Sequence, residues 1–415
     1  MQIKICGAPI LRQTIDLPAS KSISNRALIL SALSGGTPQP THISDCDDTF
    51  VMQRALQHPT PEIDIKAAGT AMRFLTAYTA VGHDTHTLTG TARMKQRPIA
   101  ILVDALRELG AQIGYAGQEG FPPLHIVGTQ LHGGHLTLPG HVSSQYISAL
   151  LMIGPMLAQG LSLTLTGHII SRPYIDLTIG MMREFGAEVV WTSGQDIRVE
   201  ATPYRPTPFY IEGDWSAASY WYQMVALSHD SEARICLPGL FATSLQGDAA
   251  VAHMFAQLGV DTSHGHQADG TPMVTLTKNA SCVSRLDYDF IDQPDLAQTL
   301  AVTCAMLQVP FHFRGLQSLR IKETDRIAAL MNELGKLGYV LHTQNDSELW
   351  WDGTRTAPQP HAAIDTYEDH RMAMAFAPCC LRLDDIHINN PEVVSKSYPS
   401  YWDHLQAAGF NIQAL

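Results

Sequence analysis

The sequence predicts an α/β protein of two domains, each assembled from repeated helix-and-strand units. Three observations lead there. The chain has 415 residues, more than one hydrophobic core normally organises. Two kinds of helical segment alternate along it, one apolar nearly all round and one amphipathic and closed by glycine. The spacing between them recurs, as it does in chains built from copies of one unit.

The apolar kind occupies residues 20–34, 68–81, 143–158, 213–228, 293–307 and 367–381. Helices of this composition are buried on all sides. The amphipathic kind is clearest at 98–110. There Ile99, Leu102, Val103, Leu106 and Leu109 fall at i, i+3, i+4, i+7 and i+10, on one helical face. Similar segments end at Gly186, Gly259, Gly338 and Gly409, where glycine can take the left-handed conformation that closes a helix. A strand ending in Gly or Asn precedes each by 19 to 23 residues: Gly90, Gly167, Gly239, Gly315 and Asn390. The first copy, around 44–57, is shorter and lacks the glycine. Short β-like runs follow at 111–115, 187–191 and 339–342.

The chain therefore reads as six copies of a βα-type unit of about seventy residues. An open stack would leave the all-apolar helices uncovered. Three units per domain, with inner helices inside a ring of sheets and amphipathic helices, encloses them. The break between the third and fourth units falls near 211–214. Residues 1–17 precede the first buried helix and fit either half.

Apolar residues make up 45% and charged residues 16%, an ordinary soluble globular balance. The net charge of −12 disfavours nucleic acid or an anionic membrane surface as the main partner. The seven cysteines are odd in number and scattered without CxxC spacing. That pattern is expected of reduced thiols in a cytoplasmic protein, with neither a disulfide framework nor a zinc site. The N-terminus carries no signal-peptide pattern, and the longest apolar run, about 147–158, is too short to span a bilayer.

Lysine is scarce: Lys4, Lys21, Lys66, Lys95, Lys278, Lys322, Lys336 and Lys396 are all there are. Half of them lie in polar segments that open the helices or precede them. Pro18-Ala19-Ser20-Lys21-Ser22-Ile23-Ser24-Asn25-Arg26 sets two cations at a helix start. Cations there are unfavourable unless an anion answers them, because the free N–H groups already form an anion site. The other buried helices open on Ala68-Gly69-Thr70, Ser143-Ser144-Gln145, Gly213-Asp214-Trp215-Ser216, Gln293-Pro294-Asp295 and Glu368-Asp369-His370-Arg371. Parallel buried helices aim such starts at one region. Before the amphipathic helices stand Arg93-Met94-Lys95-Gln96-Arg97, Ser171-Arg172-Pro173-Tyr174, Arg320-Ile321-Lys322-Glu323-Thr324-Asp325-Arg326 and Ser395-Lys396-Ser397. Lys322 and Arg326, four apart, can share a face. Recurrence at one repeat position points to a shared site for ligands with several negative charges. Asp295 and Glu323, placed among the cations, are candidate acid/base groups. No P-loop, GxGxxG, HExxH or GxSxG pattern is present, and the histidines are scattered.

These motifs, in this order, resemble the 5-enolpyruvylshikimate-3-phosphate (EPSP) synthase family over essentially the whole chain. Ala68-Gly69-Thr70-Ala71-Met72-Arg73, Val142-Ser143-Ser144-Gln145 and Asp369-His370-Arg371-Met372-Ala373 complete the set with the segments quoted above. The resemblance implies two inside-out α/β barrels of three units each. Residues 18–212 would form one, and 1–17 with 213–415 the other, with the active site in the cleft between them. It implies transfer of the enolpyruvyl group of phosphoenolpyruvate to the 5-hydroxyl of shikimate 3-phosphate, the sixth step of the shikimate pathway, with no metal or other cofactor. Shikimate 3-phosphate would meet Lys21, Ser22, Arg26, Ser143, Ser144, Gln145, Ser171, Tyr174, Asp295, Ser318 and Lys322. Phosphoenolpyruvate would meet Lys21, Gly69, Arg97, Gln145, Arg326, Arg371 and Lys396. Asp295 would take the 5-hydroxyl proton, Glu323 would handle the methylene proton, and Lys21 would assist at the bridging oxygen. A cytoplasmic monomer with no nucleic-acid or membrane partner is expected.

Three positions depart from the family pattern: Ala67 and Ser318 where Asn is usual, and Phe74 where Pro is common. The first two flanking changes, Ala67 and Phe74, leave sensitivity to inhibitors such as glyphosate open. A sister family transfers enolpyruvyl to a UDP-amino sugar with a loop cysteine as acid. No cysteine lies near 93–98 here. A non-catalytic binding scaffold would not need Asp295 and Glu323 among its cations.

Overall fold

The computed structural model describes residues 1–8 and 10–415. The chain divides into two compact units, Ala19–Ile211 and the combination of Met1–Pro18 with Glu212–Leu415. Each has its own apolar core.

The Ala19–Ile211 unit holds helices α1 (Lys21–Leu33), α2 (Asp47–Gln57), α3 (Gly69–Ala80), α4 (Ala100–Glu108), α5 (Ser144–Ile153) and α6 (Arg172–Glu184). The other unit holds α7 (Trp215–Leu227), α8 (Val251–Ala256), α9 (Ala297–Leu307), α10 (Arg326–Lys336), α11 (His370–Phe376) and α12 (Tyr401–Ala407). The apolar helices are buried as their composition requires. On α7, Trp215, Tyr220, Trp221 and Tyr222 are all nearly inaccessible, and Asp214 caps the helix by accepting from the Ser216 and Ala217 amides. The amphipathic helices α4 and α6 keep one face in the core and close at Gly110 and Gly186, with φ of 102° and 86°.

Among the described residues there are five four-stranded sheets, and all follow one plan. A parallel edge pair is followed by two antiparallel neighbours. Glu62–Asp64 runs parallel to Thr85–Thr89, which pairs antiparallel with Leu124–Val127 and through it with Gln112–Tyr115. Gly134–Pro139, Leu161–Thr166, Asp196–Val199 and Val189–Trp191 repeat it. So do Leu286–Asp289, Phe311–Arg314, Glu348–Trp351 and His342–Gln344 in the second unit. Parallel neighbours need a crossover. The buried helices α3, α5 and α9 supply it in these three sheets. In the two remaining sheets the N-terminal strands take part. Gln2–Cys6 lies antiparallel between Ile386–Asn389 and Asn411–Ala414, while Arg12–Thr14 runs parallel to Arg234–Pro238.

The buried helices differ from the sequence expectation at their ends. The segment expected at 143–158 stops at Ile153, because Gly154-Pro155 turns it into a 3₁₀ turn. The segment expected at 367–381 begins at His370, after Tyr367 and Glu368 in left-handed conformations, and Pro378 tightens its tail after Phe376. Pro294 likewise makes Pro294–Leu296 a 3₁₀ turn ahead of α9.

Candidate active site

Each unit carries a cluster of the residues singled out from the sequence. In Ala19–Ile211 the Ser20 side chain caps α1, and Lys21 is its first residue. The Lys21 Nζ lies 3.4 Å from Asp48 Oδ2, and the aspartate is nearly buried. Asp48 sits in the first turn of α2, where the helix dipole favours it, and so holds the ammonium at an otherwise unfavourable helix start.

Arg26 is 2% exposed. It donates to Thr178 Oγ1 (2.7 Å), the Ser22 carbonyl (2.9 Å), Ser148 Oγ (3.1 Å) and the Tyr174 carbonyl (3.4 Å). Ser22 and Tyr174 thus join the Arg26 cluster through their backbones. Ser171 is buried, left-handed at φ 54°, and stands at the N-cap position of α6 without a side-chain capping bond.

Gly69 opens α3 against the Arg97 guanidinium. A Cβ on Gly69 would stand 2.5 Å from Arg97 Nη1. Arg73 ties this corner together by donating to the Gly69 and Pro98 carbonyls, and Tyr146 also donates to Pro98. Gln145 reaches Thr70 Oγ1 at 3.1 Å, next to Gly69. Ser143 caps α5 by accepting from the Gln145 amide, and Ser144 begins the helix.

In the second unit Asp295 and Glu323 are both only about one-sixth exposed. Arg326 bridges them, with Nη1 3.0 Å from Asp295 Oδ1 and Nη2 2.9 Å from Glu323 Oε2. Each carboxylate also has its own lysine: Lys322 at 3.3 Å from Asp295, and Lys396 at 3.5 Å from Glu323. Arg371 closes on Asp295 Oδ2 at 3.2 Å and donates to the Asp295 carbonyl. Burial alone would raise the Asp295 carboxyl. The cations Arg371, Lys322 and Arg326 overcome that and hold it well below the usual carboxylate range. Arg326 is 1% exposed, and Asp369 grips it through Nε (2.6 Å) and Nη2 (3.3 Å). Burial works against its charge, but Asp369, Glu323 and Asp295 more than offset this and raise it. Four of its five N–H donors are thereby used.

Lys322 and Arg326 do not share a helical face. Asp325 caps α10, so Arg326 is its first residue and Lys322 lies outside it. Both still converge on Asp295. Ser318 lies half-buried on the short helix Gln317–Ile321, with no side-chain hydrogen bond among the described residues.

Sequence reasoning assigned no role to Asp48, Arg73, Asp248 or Asp369. The Asp248 carboxylate accepts from Ser216 Oγ, and burial together with nearby Asp295 pushes it up to about 6. Ser216 Oγ in turn lies 3.4 Å from Arg371 Nη2. For the three aspartates the available signal was an acidic residue near a helix start beside the cationic motifs, but ordinary caps give the same signal.

Clustered cations at helix starts, with two arginine-bridged carboxylates among them, equip an α/β protein for proton-transfer chemistry on multiply anionic substrates. The family model for EPSP synthase (3-phosphoshikimate 1-carboxyvinyltransferase) matches residues 53–405. The 3-phosphoshikimate 1-carboxyvinyltransferase of Bacteroides fragilis is 60% identical over 403 residues, covering 97% of each chain. The Vibrio cholerae protein of that name is 36% identical over 417 residues, covering 94% of this chain and 95% of its own. The EPSP synthase structure from Acinetobacter baumannii superposes with a TM-score of 0.81 at 23% identity, covering both chains completely. The chain belongs to the EPSP synthase family.

Proposed function

We propose that the protein transfers the enolpyruvyl group of phosphoenolpyruvate to the 5-hydroxyl of shikimate 3-phosphate and releases phosphate. The observation that carries this is the Asp295–Arg326–Glu323 bridge with Lys322 and Lys396 at its ends. Addition followed by elimination needs a base at the hydroxyl and an acid at the methylene carbon, both close to cations that hold phosphate and carboxylate groups. The named relatives support the same reading.

Asp295 takes the 5-hydroxyl proton as the oxygen bonds to C2 of phosphoenolpyruvate, and Glu323 protonates C3. The tetrahedral adduct then loses phosphate by cleavage of its C2–O bond, with Lys21 at the bridging oxygen. Glu323 recovers the proton from the methyl group, restoring the double bond. The Asp295 proton leaves with phosphate. Without substrates, three cations suppress the basicity of Asp295. Substrate phosphate and carboxylate groups compete for those cations, so Asp295 becomes a competent base when the substrates are bound.

The remaining assignments follow the same reading. Ser22, Arg26, Ser143, Ser144, Gln145, Ser171, Tyr174, Ser318 and Lys322 serve shikimate 3-phosphate. Gly69, Arg97, Gln145, Arg326, Arg371 and Lys396 serve phosphoenolpyruvate. Each unit is an inside-out barrel of three repeats, a reading supported by the one strand plan of the five sheets. The shorter segment around α1 and α2 is the sixth copy.

Phosphate release is expected only when both substrates are present, and it should persist with a metal chelator. Release with UDP-N-acetylglucosamine but not with shikimate 3-phosphate would overturn the assignment. A second expected result concerns Gly69→Ala. The new methyl displaces the Arg97 guanidinium, so KM for phosphoenolpyruvate should rise tenfold or more, about the worth of one charged hydrogen bond. KM for shikimate 3-phosphate should stay nearly unchanged. Equal changes in both constants would show that Arg97 is not specific to phosphoenolpyruvate.

A further inference from the structure

Four arginines are buried among the described residues, Arg26, Arg73, Arg326 and Arg371, and the two least exposed of them, Arg326 and Arg26, have surroundings opposite in kind. Arg326, 1% exposed, is neutralised by Asp295, Glu323 and Asp369. Arg26, 2% exposed, has hydrogen bonds only to hydroxyl and carbonyl oxygens: Thr178, Ser148, Ser22 and Tyr174. No carboxylate forms an ion pair with it among the described residues. Removing a guanidinium from water without a counter-ion is costly. That cost registers in Arg26 itself, which burial pushes down to about 10, still charged at neutral pH.

Besides the Tyr174 phenol, which favours the charge from a distance, an aromatic ring faces this cation. The Arg26 Cζ lies 5.3 Å from the centroid of the Phe74 ring, and Phe74 on α3 is 1% exposed. An aromatic face attracts a cation within about 6 Å, and most strongly where water is excluded. A carboxylate at this place would stabilise Arg26 by cancelling its charge, and an incoming anion would then have to compete with it. The ring stabilises the cation without cancelling it. Four hydrogen bonds also leave one Nη1 hydrogen of the guanidinium to spare.

We propose that Phe74 is a positioning residue for shikimate 3-phosphate: its ring face holds the buried Arg26 guanidinium in place while leaving its positive charge available to the substrate's anionic group. The proposal rests on the reading that Arg26 meets shikimate 3-phosphate. It gives a physical role to the aromatic residue that departs from the family pattern after Met72-Arg73. Phe74 occupies the same helix as Gly69, which lies against Arg97. Damage to α3 as a whole would therefore disturb the phosphoenolpyruvate corner too. Loss of the ring face alone would disturb only the Arg26 side.

The test is steady-state kinetics on three replacements at position 74. Phe74→Leu keeps an apolar side chain and removes the π face. KM for shikimate 3-phosphate should rise about thirtyfold, the equivalent of a desolvated cation–π contact. KM for phosphoenolpyruvate should change less than threefold. Phe74→Trp restores a π face and should recover most of the affinity. Pentafluorophenylalanine at position 74 keeps the ring shape but reverses its electrostatics. It should behave like leucine, and it keeps the question answerable if Phe74→Leu folds poorly. Arg26→Gln separates the role of Arg26 from that of Phe74. If it leaves KM for shikimate 3-phosphate unchanged, the assignment of Arg26 is wrong. If it raises that KM while the leucine and pentafluorophenylalanine variants do not, the role of Phe74 is wrong. Equal rises in both KM values for those variants would reduce Phe74 to packing and overturn the proposal.

Discussion

Asp295→Ala should lower kcat by about 10²–10⁴-fold, the contribution of a positioned general base, without weakening phosphoenolpyruvate binding. The carboxylate is engaged by Lys322, Arg326 and Arg371 at 3.0–3.3 Å. Its removal frees Lys322 and Arg371 to meet substrate anions, so KM for phosphoenolpyruvate should hold or fall. The fold should survive because Arg326, the most buried of the three cations, keeps Asp369 and Glu323. Asp295→Asn is the companion variant, since it keeps the shape and a carbonyl acceptor but cannot take a proton. Comparable loss in both variants would identify proton transfer as the missing function. Turnover within tenfold of the parent in either would remove Asp295 from the proposed chemistry. A loss confined to alanine, with asparagine active, would assign Asp295 to holding Arg371 rather than to proton transfer.

The helices were legible because the apolar pattern is local. A stretch such as Trp215–Leu227 is apolar all round, and that suffices to mark it as buried. Its end residues were less legible. Gly154-Pro155 and Pro378 stop α-helices that the apolar pattern would have continued. The candidate cations were legible because they are rare and recur at helix starts or just before them. Their partners were not. Asp48 lies 27 residues from Lys21, and Asp369 lies 43 from Arg326, so neither pairing is visible until the chain is folded. The contact of Arg26 with Phe74 was hidden for the same reason. In sequence Phe74 is one apolar residue among many on α3, and only packing places its ring face at a guanidinium. Composition shows where a charge is, whereas the surrounding side chains decide what that charge can do.

That distinction is sharpest at Lys21, whose replacement by methionine should nearly abolish turnover. Methionine keeps much of the length and apolar stem of lysine but lacks the ammonium. Lys21 stands at the first position of α1, where the helix dipole opposes a positive charge. Asp48, 3.4 Å away, offsets that opposition and fixes the Nζ, and the side chain is only 16% exposed. The ammonium is thus held in place without substrate, and in the proposed mechanism little reorganisation is then needed as negative charge builds on the departing phosphate oxygen. Losing one such pre-set donor costs about 10²–10³-fold in kcat. Losing its full positive charge in a partly dehydrated setting places Lys21→Met at or beyond the upper end. KM should rise far less than kcat falls, because Arg26 and Arg97, the proposed partners of the ground-state anions, remain. The fold should remain intact, since Asp48 keeps the favourable dipole of α2. Circular dichroism and thermal melting on the same sample check this. Asp48→Asn gives the complementary result, an intermediate kcat, because the ammonium is retained but no longer held. If Lys21→Met keeps kcat within tenfold while its melting temperature drops sharply, Lys21 serves to neutralise Asp48 rather than to assist the leaving phosphate.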